Sequence, residues 1–115
     1  MPNSASIQAR QALNQLSQQP LPQASDHLAS QCFERHAKTL QAILERNPSL
    51  RFDVAEQIQQ MIGRIMKQEQ ASEVKQLLEL YLIEIEKSLP ALISDRYIAS
   101  WLWSAGQSFA NVNQR

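Results

Sequence analysis

SEVKQLLELYLIEIEKSLPALISDRYIASWLWSAGQSFANV, Ser72–Val112, decides the fold of this chain. The stretch holds both tryptophans, both tyrosines and a dense run of Leu and Ile. At about 100° per residue, Val74, Leu77, Leu78, Tyr81, Leu82, Ile85 and Leu89 gather on one side of a helix, the signature of an amphipathic element facing a core. Ser72 stands where an N-cap is expected, with Lys75 rather than Glu three residues on, so the full capping box is missing. Leu89-Pro90 breaks the helix, because proline excludes helical backbone at the preceding residue. Ser94-Asp95 then offers a new N-cap for a further helix over about Asp95–Phe109, whose core side collects Tyr97, Ile98, Trp101, Leu102, Ala105 and Phe109.

Working back towards the N-terminus, Val54, Ile58, Met61, Ile62 and Ile65 mark a helix over about Ser49 or Phe52 to Gln68. Gly63 falls almost opposite that stripe, as slack rather than as a close-packing device. Before it, Leu28, Ala29, Cys32, Phe33, His36, Leu40, Ile43 and Leu44 define a helix that begins near Ser25 or Asp26 and ends at Asn47-Pro48-Ser49. Glu34 and Lys38 form an i, i+4 pair on its outer side. Residues 1–19 could make one more helix through Ala5, Ala9, Ala12, Leu13 and Leu16, with Ile7 on the wrong side. Its apolar face is mostly alanine, which predicts a weak, partner-dependent arm before Pro20-Leu21-Pro22. The expected organisation is all-α: an N-terminal arm with its linker over 1–24, an up-down bundle of four main helices over 25–112, and a short disordered tail over 113–115.

Composition agrees with this fold class and limits the function. Two glycines among 115 residues, with abundant Gln, Leu, Ala, Ile and Glu, favour helix. Lys plus Arg total 11, as do Asp plus Glu, so no net field draws the chain to a polyanion or an anionic lipid surface. One cysteine allows no intrachain disulfide, and neither a membrane span nor a signal peptide is evident. Cytoplasm is the expected location.

The residue constellations that could carry chemistry are sparse. Cys32 and His36 share a helical face, with His27 nine residues before His36, but zinc needs three or four such ligands and the chain has no other Cys or His. A buried thiol and a hydrogen-bonded imidazole are the simpler reading, and a thiol- or metal-dependent enzyme is the least favoured one. Glu84 and Glu86, two apart, do not converge from one helix and read as a solvated edge. Arg51, Arg64 and Lys67 could form a basic strip, which keeps a small DNA-associated regulator as the alternative function. No cofactor is expected, and no enzymatic activity.

More informative are the large apolar residues that miss the stripes. Leu80 and Ile83 project to the reverse side of their helix, and Trp103 lies beside Arg96 and away from Trp101. Leaving such side chains in water forgoes about 1.5–3 kcal/mol of burial each. Either the N-terminal arm covers Leu80 and Ile83, or Leu80, Ile83, Arg96 and Trp103 form a partner surface, since aromatics beside Arg are common anchors. The run IQQMIGRIMKQEQASEVKQLLELYLIEIEKSL, Ile58–Leu89, resembles the helical hairpins of small flagellar or secretion export chaperones in glutamine content and pattern. That resemblance implies an apolar helix face that holds an aggregation-prone partner. The functional expectation is a bacterial-type, non-enzymatic protein–protein interaction module, an adaptor, chaperone-like or small regulatory protein, expected to form a homodimer.

Overall fold

The computed structural model describes residues 4–24 and 27–100, with side chains from residue 7 onward. It is all-α, with no strand among the described residues. The four long helices are α1 (Ser4–Ser17), α2 (Ala29–Arg46), α3 (Arg51–Met66) and α4 (Ala71–Ser88). A single 3-10 turn (Pro48–Leu50) leads into α3, and a short helix α5 (Pro90–Ser94) follows α4.

Each break follows from local chemistry. The Asn47 backbone N–H and its side-chain amide both donate to the Ile43 carbonyl, at 2.9 and 3.2 Å, closing α2 before Pro48 opens the 3-10 turn. Pro90 occupies the first turn of α5, where a missing N–H costs nothing. Asp95 takes extended backbone and its carboxylate accepts from the N–H groups of Tyr97 and Ile98 at 3.0 and 3.3 Å, the geometry of an N-cap. Helical backbone resumes over 96–100, as the Asp95 cap predicts. The other proposed cap is not used: α4 begins one residue before Ser72, with Gln70 at the N-cap position and no side-chain bond there.

Polar ties at the helix ends fix the topology. Arg10, midway along α1, meets Asp53 in the first turn of α3 at 3.1 Å, and Arg64 in the last turn of α3 donates to the Gln19 carbonyl just past the end of α1, so these two helices run parallel. Gln76 donates to the Ala24 carbonyl at 3.0 Å, at the α4 start and just before α2, while Arg51 approaches Asp95 at 3.6 Å beyond the other ends of both. Helices α2 and α4 therefore also run parallel, and the whole is an up-down-up-down bundle. Its most extensive helix pair is α2 with α4, and α1 rests mainly on α3.

The core confirms the central stripes: Phe33, Leu40, Val54, Ile58, Ile65, Leu77, Tyr81 and Ile85 are fully buried. It also corrects the reading of α1. Ala9, Leu13 and Leu16 belong to the core cluster, which makes α1 one of the four long helices of the bundle rather than a weak arm. An alanine-rich face buries little area per residue, but it lets a neighbouring backbone come close, and α3 takes that place. Gly63 is slack as expected: a Cβ added there would meet nothing within 4 Å.

Three residues assigned to the core lie at the surface. Leu28 precedes the first residue of α2 and so does not share its inner face. Leu82 is 38% exposed, because α4 leans chiefly on α2, which covers the Tyr81 line and leaves the edge at Leu82 open. Tyr97 is 77% exposed, while its neighbour Ile98 takes the inward position. The part of the fifth helix expected beyond residue 100, with Trp101, Leu102, Ala105 and Phe109, lies outside the described residues, as does the tail over 113–115.

Candidate functional site

The outer face of α4 follows from its register. With Tyr81 pointing to the core, two residues on is about 200° around the helix, so Ile83 projects almost directly outward. Ile83 is 48% exposed. Leu80 and Leu82 flank it at the two edges of the face; Leu80 is half-buried and packs against the core cluster. Exposed Glu79 and Glu86, seven residues apart, lie along one side of Ile83, and Gln76 and Lys87 along the other. The structure thus separates the predicted site residues. Leu80 and Ile83 share one turn of α4 and Arg96 is exposed beyond Asp95, whereas Trp103 lies outside the described residues. The N-terminal helix does not serve as their cover, since α1 rests on α3 and α2.

Glu84 is not part of a solvated edge. Three residues on from Tyr81 is about 300°, only 60° from the core direction, and Glu84 is buried with its carboxylate 3.6 Å from Lys87 Nζ. Glu86 is exposed. The basic residues Arg51 and Arg64 are likewise engaged, Arg51 with Asp95 and the face of Phe52, its guanidinium 5.0 Å from the ring centroid, and Arg64 with the Gln19 carbonyl.

A second arrangement joins residues far apart in sequence. His36 of α2, only 4% exposed, and Tyr81 of α4 form a buried hydrogen bond of 2.9 Å between Nε2 and the phenolic oxygen. Phe33 packs edge-on against the Tyr81 ring at 5.1 Å. Burial holds the His36 pKa down at about 4, with the nearby Arg64 cation adding to the effect. Burial also raises the Tyr81 phenol well above its ordinary value. Both groups are therefore neutral near pH 7, as a bond of this kind between α2 and α4 requires.

The donor in that bond follows from counting. If His36 Nε2–H donated, the buried Tyr81 hydroxyl would lack an acceptor and His36 Nδ1 would lack a donor. If Tyr81 donates, only one group is left over, His36 Nδ1–H, which is the buried side-chain polar atom without a partner among the described residues. The second assignment leaves fewer unmet groups and is the one we adopt.

Cys32 lies one turn before His36, as its spacing predicts, and is half-buried. The two line a 340 Å³ cavity together with Leu16, Gln19, Pro20, Arg35 and Thr39. No group of three or more His, Cys, Asp or Glu suited to a metal ion occurs among the described residues. None of their helices is long and apolar enough to cross a membrane. No family model, no curated protein and no solved structure matches the chain.

Proposed function

We propose that this protein is a non-enzymatic interaction module that holds an amphipathic helix of another protein against the outer face of α4. The observation that carries the reading is Ile83, a large aliphatic side chain at the centre of that face, with Leu80 and Leu82 at its edges. Apolar residues at i and i+3 are the usual anchors for helix-on-helix recognition.

Charge selects the occupant. With Leu80 and Ile83 as the seam, a second copy of α4 laid antiparallel would set Glu79 against Glu86. That arrangement brings acid against acid, which disfavours antiparallel self-pairing through this face. A helix with Leu or Ile on its seam and Lys or Arg along one side meets the Glu79–Glu86 edge of that surface with opposite charge, with Lys87 on the far edge. For this face the charge pattern therefore supports a partner of a different sequence over a second copy of the chain.

Two designed helical peptides test the reading, identical in their Leu seam and carrying either Lys or Glu at the flanking positions. Titrated into isotopically labelled protein, the Lys peptide should shift amide resonances over Gln76–Lys87, and Ile83→Glu should abolish the shifts. Equal binding of both peptides, or shifts centred elsewhere, would refute the surface; a dimer that Ile83→Glu dissolves would replace the partner with a second copy.

A further inference from the structure

The side of the bundle between α1 and α2 is open. Helix α1 rests mainly on α3 and meets α2 less extensively, and a groove of 230 Å³ runs between the first half of α1 and the last two turns of α2. Ala9 and Ala12 form one wall, Ala42 and Ile43 the other, and Ala42 is exposed. Along α2 the groove extends from Thr39 to Asn47, a length of about 12 Å. Among its described lining residues Arg46 alone carries a charge.

The chain leaves the described residues at the Asn47 end of this groove. Asn47 leads through the 3-10 turn to Arg51, whose guanidinium lies 3.6 Å from the Asp95 carboxylate, and Ile98, three residues further on, is fully buried. Residues 101–115 follow and contain Trp101, Leu102, Trp103, Phe109 and Val112, with no acidic or basic residue before Arg115. From Ser100 to Val112 the chain can reach about 18 Å as helix or about 40 Å extended. Either length spans the groove.

We infer that residues 101–112 occupy the groove between α1 and α2, with their large apolar side chains over Ala9, Ala12, Ala42 and Ile43 and an indole face against Arg46. A segment without charge suits walls of alanine and isoleucine, and the guanidinium at the rim is attracted to an aromatic face. The outer face of α4 is edged instead by Glu79 and Glu86 and offers such a segment no charge match. Covalent attachment supplies an effective concentration on the order of millimolar, so a shallow groove that would hold a free peptide weakly is filled by a segment already tethered beside it. This inference is independent of the partner proposed for α4.

Both tryptophans of the chain lie in this segment, so indole emission reports on it alone. In the whole chain with Cys32→Ser, a nitroxide, which quenches indole only at near contact, is attached at one of two exposed positions: Gln8→Cys beside the groove or Glu86→Cys on α4. The label at position 8 should remove most of the emission, and the label at position 86 little of it. Ala42→Glu, at an exposed position, should leave far-ultraviolet circular dichroism unchanged and restore the emission of the chain labelled at position 8, because docking would then bury a carboxylate. Equal quenching from both positions, none from position 8, or quenching that survives Ala42→Glu would overturn the assignment. Quenching from position 8 that fades on dilution would put the segment on a second copy and overturn it as well.

Discussion

Replacing His36 by Phe should flatten the acid side of the stability profile. In the folded chain His36 titrates at about 4, against an ordinary value of 6.5. Between those two pH values the unfolded chain binds a proton that the folded chain does not, so stability falls as pH drops through 6.5, continues to fall to about 4, and then levels off. The full shift corresponds to about 3 kcal/mol, and the part lost between pH 7 and pH 4.5 to about 2 kcal/mol. For a chain of this length that is a sizeable share of a total stability of about 5–15 kcal/mol. Urea unfolding followed by far-ultraviolet circular dichroism at pH 7, 5.5 and 4.5 measures it, with an expected drop in midpoint of about 1 M across the range. Glu34, whose carboxyl is held below its ordinary value by the hydrogen bond and charge of Lys38, begins to lose its contribution only as pH nears 4.5 and loses most of it below that, at and beyond the acid edge of the window. His36→Phe should therefore be nearly flat from pH 7 to 4.5, whatever its stability at pH 7. A variant that loses as much as the parent over that interval would refute the assignment of the acid sensitivity to the buried imidazole.

Leu13→Ala tests the place of α1 in the core. It should cost about 2–5 kcal/mol in urea unfolding, the range for emptying a buried leucine site, whereas a loose arm would lose almost nothing. Gly63→Ala should raise stability by about 0.5–1 kcal/mol, because the added methyl meets nothing within 4 Å and the helix interior favours alanine; a lower thermal midpoint would show a close neighbour there.

How far the sequence revealed this molecule depended on the range of the interaction. The stripes of α3 and α4 were legible because helical period is local: Val54, Ile58, Met61, Ile62 and Ile65 were placed together from spacing alone and are all buried. The Asp95 cap was legible for the same reason. The weight of α1 was not, because Ala9, Leu13 and Leu16 look thin until α3 lies against them. Leu82 illustrates the converse: its angle put it beside Tyr81, but which edge of α4 is covered depends on where α2 packs. The His36–Tyr81 bond spans 45 residues, and no local pattern announces it. Of the candidate surface, the outward direction of Ile83 was readable from the wheel, while the half-burial of Leu80 required the packed bundle. The common spacing of Cys32 and His36 foretold a shared face but not the cavity that the Pro20 linker closes over it.

The first turn of α3 carries Arg51, tied to Asp95, and two residues later Asp53, tied to Arg10. Each contact is exposed enough to be worth little by itself. Yet one reaches the helix nearest the N-terminus and the other the segment that follows α4, so a single turn in the middle of the chain holds its two outlying portions. Fraying of that turn would release both at once, and amide exchange in α1 and over 90–100 would then rise and fall together although the sequence places them farthest apart.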